Sequence, residues 1–161
     1  MATWREFCEQ QPEMAEGGRQ LLYQFGVGLA FLATIRPDTG PRMHPMCPIL
    51  HEDRLLAFIL PSPKLNDLRR DGRFALHCFP PADNEDAFYV TGRARVLDDL
   101  QLRDTVTNQF LDERAAQAIP APEADHALVE LDLDTVLLTR TTGHGDFDPQ
   151  HTVWKASSVT P

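Results

Sequence analysis

Residues 60–73, LPSPKLNDLRRDGR, read as a short helix with one charge on the wrong end. Ser62 is an N-cap type and Pro63 suits the first helical position. Leu65 and Leu68 make an apolar stripe, and Gly72 stands where a left-handed stop belongs. Arg69 and Arg70 in the last turn suit the negative end of the helix dipole. Lys64 in the first turn does not: a cation there costs about 0.3–1 kcal/mol, which a docked anion would offset. Arg42 opens an upstream strand-like run. If a hairpin sets that run beside the strand ending at Leu60, the two cations converge on one anion. Ser62 and the free amides of the helix start would add neutral donors. A helix N-terminus, a lysine point charge and an arginine fork together make a monophosphate cradle. Spacing alone leaves open the bland reading, a solvated strand arginine and an ordinary surface lysine.

The elements that must position these residues come from a chain of 161 residues, enough for one domain with a real core. Hydrophobic residues make up 42%, so the chain is not disordered by composition. A net charge of −9 argues against nucleic acid or an anionic membrane as partner, so any phosphate must be held by a few local cations. Cys8, Cys47 and Cys78 lie far apart with no CxxC pair, which fits neither a zinc site nor a closed disulfide framework. Cys47 and Cys78 fall in strand-like runs and read as buried free thiols. The N-terminus has no apolar signal-like region and no run approaches transmembrane length, so a cytoplasmic location is expected.

Along the chain, residues 3–24 read as a helical segment in two pieces broken at Pro12, the second weakened by Gly17-Gly18. VGLAFLATI (27–35) is a short, wholly apolar run and reads as a strand buried on both faces. RPDTGPR supplies hairpin turn residues. RMHPMCPILH (42–51) is a second strand, which Pro45 and Pro48 demote to an edge or a bulge. RLLAFIL (54–60) and RFALHCF (73–79) flank the Lys64 helix. AFYVTGRARVL (87–97) alternates, with Phe88, Val90 and Ala94 on one face and Arg93 and Arg95 on the other. Asp98 or Asp99 caps a helix to about residue 116, striped by Leu102, Val106 and Phe110. IPAPEAD is a linker, 126–140 a long strand or bent pair, and TVWKAS a last short strand. About six strands joined mostly by hairpins, with flanking helices, describe a mainly β, closed antiparallel barrel spanning about 27–156.

Three stretches in this order carry a resemblance: GLAFLATIRPDTGPRMHPMCPIL (28–50), RLLAFILPSPKLNDLRRDGRFALHCF (54–79) and FYVTGRARVL (88–97). Together they resemble the FMN-binding split-barrel family related to pyridoxamine 5'-phosphate oxidase, over roughly residues 20–100. The resemblance implies a single FMN-binding split-barrel domain over 1–161. It implies Arg42 and Lys64 as phosphate ligands and Met43, His44 and Pro45 alongside the isoalloxazine. Ile59 and Leu60 would offer backbone groups to the flavin, and Ser62 and Pro63 would complete the helix start. It further implies a homodimer with the cofactor at the subunit interface. The implied activity is FMN-dependent oxidoreduction of a small molecule by hydride transfer through flavin N5, with no catalytic protein side chain.

The same barrel also accommodates the deazaflavin F420, which would make the protein an F420-binding reductase. A non-catalytic protein that holds flavin or haem would fit the same resemblance. Two departures bear on the substrate. Ala87 stands near where the family has a flavin-contacting Gln. The substrate-holding R-x-H-D-R segment is replaced by RTTGHGDFDPQHTVWK, where Arg140 and His144 lie four apart rather than two. Vitamin B6 oxidation is therefore not implied. Trp154-Lys155 match the family's closing pair, with Trp154 read as core packing. His77 reads as structural, GHGD (143–146) as no metal site, and Asp132 and Asp134 as solvation or helix docking.

Overall fold

A computed structural model describes residues 1–157. Thr3 opens α1 (Trp4–Gln10) with a capping box: its side chain accepts from the Glu6 amide while Glu6 accepts from the Thr3 amide. Pro12 then ends one helix and starts the next, α2 (Pro12–Leu22), as its missing N–H allows only at a first turn. The strands are β1 (Ala30–Ile35), β2 (Pro41–Met46), β3 (Ile49–His51), β4 (Arg54–Ile59), β5 (Arg73–Cys78), β6 (Ala87–Leu97), β7 (Ala127–Arg140) and β8 (Gln150–Lys155). Between them lie α3 (Pro63–Arg70) and α4 (Leu100–Glu113), the latter capped by Asp99, which accepts from the Leu102 amide at 2.9 Å.

All eight strands belong to one antiparallel sheet ordered β2-β1-β5-β6-β7-β4-β3, with β8 on β7. The sequence expectation of about six strands is corrected in two places. The run 42–51 is two strands split at Cys47-Pro48, because a proline pair cannot sustain one continuous ladder. β3 rather than β2 pairs with β4, while β2 pairs with β1 in the register Thr34 to Arg42. The hairpin expected between the 42–51 and 54–60 runs therefore forms only through residues 49–51, and Arg42 lies outside it. The ends of the sheet, β2 and β3, are not hydrogen-bonded to each other among the described residues. Hydrogen bonding thus gives an open path of strands, whose two edge strands follow one another in the chain at Cys47-Pro48.

Long β7 is one strand, serving β6 along most of its length, β4 at its start and β8 at its end. The core lies on the face of Leu32, Leu76, Phe88 and Val90, all fully buried, and is covered by α1 and α2. Trp4, Phe7 and Trp154 meet there: Phe7 lies 5.1 Å from Trp154 between ring centroids, and the Trp154 N–H donates to Gln10 at 3.1 Å. The alternation of 87–97 holds, with Phe88 and Val90 buried and Arg93 and Arg95 exposed.

Gly17-Gly18, a weakness by helix propensity, are the contact surface of α2. A Cβ on Gly18 would sit 2.4 Å from the Phe88 ring, so the helix reaches the sheet only because the side chain is absent. A second cluster, Ile49, Leu56, Val106 and Leu128, lies beneath α4, with Phe58 and Phe110 packed against it. Val106 is fully buried while Leu102 and Phe110 are half-buried, so the stripe read from the sequence is the docking face of α4. Among the described residues no helix is long and apolar enough to cross a membrane.

Candidate functional site

The helix start singled out by its charge forms as the sequence indicates. Ser62 is extended, accepts from the Leu65 amide at 3.4 Å, and donates its hydroxyl to the Leu60 carbonyl at 2.9 Å. Its proton is thus used within the turn. Pro63 has no N–H, and the Lys64 amide has no acceptor among the described residues. Gly72 takes the left-handed stop at φ 77. Lys64 is half-buried and makes no ion pair among the described residues. Burial pushes its pKa below the ordinary 10.5, with Cys47 a smaller opposing influence. An ammonium held against a helix N-terminus, partly out of water and without a counter-ion, is a site short of one negative charge.

Arg42 reaches the same place by another route than a β2–β4 hairpin. It stands opposite Thr34 in the β1–β2 ladder, and α3 packs across β1 so that Asp67 comes between them. The Asp67 carboxylate, 2% exposed, accepts from the Arg42 Nε at 2.8 Å, the Thr34 hydroxyl at 3.0 Å and Arg70 at 3.2 Å. Burial works to raise the Asp67 pKa. The hydrogen bonds from Arg42, Thr34 and Arg70 outweigh it and hold the carboxyl below its ordinary value. With Nε committed, both Nη groups of Arg42 remain without a protein partner among the described residues. Arg42, His44, Leu60, Ser62, Pro63 and Lys64 line one cleft of about 310 Å³.

The remaining sequence candidates divide. Ile59 is 1% exposed and pairs with Ala127 in the β4–β7 ladder. Met43 is 66% exposed, on the face of β2 opposite Arg42 and His44. Pro45 belongs to a second cleft of about 280 Å³, which shares Leu60 and Lys64 with the first. This second cleft is walled by Phe58, Phe110, Pro120 and Pro122, with Cys47, Glu123 and His126 also lining it. Sequence reasoning misses the 120–126 part of this wall, because the prolines of IPAPEAD read as a linker. Its position is set by Arg103, which donates to the carbonyls of His126 at 2.5 Å and Glu123 at 2.6 Å. The available signal is an arginine inside a helix otherwise marked by its apolar stripe.

Cys78 is buried as expected, whereas Cys47 is half-exposed in the β2–β3 link. His77 is exposed on β5, its Nδ1 within 2.6 Å of the Cys78 carbonyl. The Nε2 of His144 lies 2.9 Å from the Ala82 carbonyl. Arg140 pairs with Asp86 at 2.9 Å and Asp132 with Arg95 at 3.0 Å, so these groups serve other contacts. Ala87 begins β6 and offers no side-chain hydrogen bond.

Solved structures match this architecture along most of the chain. General stress protein 26 from Bacillus anthracis str. Sterne superposes with a TM-score of 0.60 at 20% identity, covering 85% of this chain and 95% of that one. A Clostridium acetobutylicum protein related to general stress protein 26, of the pyridoxinephosphate oxidase family, gives 0.59 at 12% identity over 94% and 95%. The fold is pyridoxamine 5'-phosphate oxidase-like. A heme binding protein from Mycobacterium smegmatis gives 0.64 at 18% identity, covering 88% of this chain and 58% of that one. No family model and no curated protein matches the sequence. At these identities the likeness concerns the fold alone.

Proposed function

We propose that this protein binds FMN and acts as a flavin-dependent oxidoreductase. The observation that carries the reading is Lys64, a half-buried cation without a counter-ion among the described residues, sharing one cleft with the free Nη groups of Arg42. A terminal phosphate supplies the missing charge and accepts from the guanidinium fork, the ammonium and the Lys64 amide. The protein's net charge of −9 opposes this, so the grip is local. The residues present fit the cofactor's ring as well as its phosphate. The second cleft continues from the first through Leu60 and Lys64 and is walled by aromatic and proline side chains.

When bound, FMN supplies the hydride chemistry. The chain holds the phosphate, flanks the ring with apolar surface and excludes water through α4 and the 120–126 segment. A homodimer completes the reading. Phe31 stacks on Phe79 at 4.4 Å and Met43 is 66% exposed, all on the outward row of the β2-β1-β5 region. The substrate is a small molecule and B6 oxidation is not proposed.

The test is to release whatever small molecule copurifies, identify it by absorption and mass, and titrate the stripped protein with FMN and riboflavin. The reading expects a yellow protein, FMN by mass, riboflavin bound at least tenfold more weakly, and bleaching by reduced nicotinamide. Binding of F420 instead, or a haem Soret band, would assign the cleft to those cofactors. His44 lines that cleft, and one structural neighbour is a heme binding protein. Stripped protein that takes up none of the three overturns the reading.

The lowered pKa of Lys64 gives a signed pH prediction. The phosphate monoester is already dianionic above about pH 7, so its charge is constant on the alkaline side. Affinity should then fall as pH rises through the Lys64 pKa, below 10.5, because the free protein loses the ammonium first. The contribution of Lys64 to fold stability moves oppositely. The unfolded lysine binds the proton to higher pH than the folded one, so stability rises across that interval. FMN titrations and denaturation midpoints on one pH series check both signs, with Lys64→Met as the flat reference.

A further inference from the structure

We propose that Asp67 is a positioning residue for the phosphate grip, acting through Arg42. The proposal rests on the phosphate-binding reading of the cleft and deepens it. Arg42 is 26% exposed on an edge strand, where a long side chain would otherwise sample several rotamers. Asp67 removes that freedom. It holds the guanidinium by Nε alone, at 2.8 Å, and leaves the two Nη groups for a ligand. Asp67 is itself held by the Thr34 hydroxyl at 3.0 Å and by Arg70 at 3.2 Å, and Arg70 also donates to the Ile35 carbonyl. Thus β1, β2 and α3 are pinned at one buried carboxylate three residues beyond Lys64 on the same helix.

The arrangement also sets the charge of the cradle. Arg42, Lys64 and Arg70 are three cations, and Asp67 is the acid that Arg42 and Arg70 share. Arg70 stands outside the cleft lining, so Arg42 and Lys64 are the cations that face a phosphate there. A free carboxylate near a phosphate would repel it. This one is 2% exposed and accepts from Arg42, Thr34 and Arg70, so its charge is compensated inside the protein.

Position and charge are separable. Asp67→Glu keeps the charge and moves it by a methylene, displacing Arg42. Asp67→Asn keeps the shape and an acceptor oxygen while removing the charge, which weakens the anchor and also removes a like charge, two opposed effects. The experiment measures FMN and riboflavin affinity for the full chain carrying each substitution, with and without Arg42→Ala. Expected are at least a tenfold loss of FMN affinity in Asp67→Glu, a change within about threefold in Asp67→Asn, and riboflavin affinity unchanged in both. In the Arg42→Ala background Asp67→Glu should lower FMN affinity no further, because the route through Arg42 is gone.

If Asp67→Glu keeps FMN affinity within threefold, or lowers FMN and riboflavin in parallel, or remains as damaging without Arg42, Asp67 is structural and the proposal fails. Should Asp67→Glu not fold, Thr34→Val removes a donor from the same carboxylate oxygen without altering charge. It must then lower FMN affinity selectively, or the proposal fails. A wild-type protein with no preference for FMN over riboflavin sinks instead the phosphate reading beneath it, so the two failures are distinguishable.

Discussion

Lys64→Glu is expected to lower FMN affinity about a hundredfold or more while leaving the fold intact. A charge-assisted hydrogen bond to phosphate contributes about 1.5–3 kcal/mol. The substituted carboxylate then adds a repulsion of about 1 kcal/mol or more at partly screened distances. Together these come to roughly 3 kcal/mol, and each 1.4 kcal/mol is about tenfold. Stability moves the other way. α3 has no acid in its first turn, so a glutamate at 64 meets the positive end of the dipole and relieves the cost of a half-buried ammonium. FMN titration together with a urea midpoint is decisive because the two readouts should diverge. FMN affinity within threefold of wild type removes Lys64 from the cradle. Parallel loss of affinity and midpoint reassigns it to the structure.

Gly28→Ala is expected to destabilise the protein at or above the upper end of the roughly 1–3 kcal/mol that overpacking usually costs. A Cβ at Gly28 would lie 1.9 Å from the Pro48 carbonyl oxygen, so backbone must move. The atom in its way belongs to the link that carries the chain from β2, at one edge of the sheet, to β3, at the other. The buried Arg114 also reaches the Gly28 carbonyl, at 3.4 Å, which ties the same point to the end of α4. Displacing the link shifts Cys47 and Met46 in the wall of the second cleft. Riboflavin affinity should therefore fall with the denaturation midpoint in this variant, unlike in Lys64→Glu. A midpoint unchanged within error would show that the seam yields without cost.

The local features of this chain are legible in its residues. Ser62-Pro63 start a helix, Gly72 supplies the positive-φ stop, Pro12 divides two helices and Asp99 caps a fourth, because caps and dihedral preferences act over three or four residues. The alternation of 87–97 and the stripe of α4 are likewise local periods. The charge anomaly at Lys64 points to the cleft without knowledge of any contact. One end of the candidate site is legible because an unfavourable residue is visible without a structure.

Strand partnership is another matter. Arg42 reaches the cleft through β1 and Asp67 rather than through a hairpin with β4, and Asp67 in the sequence is one more acid on a short charged helix. What makes it a buried anchor is Thr34 and Arg42 arriving from two other segments, and local rules hold no information about such arrivals. The same holds for Gly18 against Phe88, Gly28 against Pro48, and the 120–126 segment held over the second cleft by Arg103. Type and spacing of residues determine which elements form and where a charge sits uneasily. Only the packing of distant segments decides which groups lose water together, and that decides which of them can hold an anion.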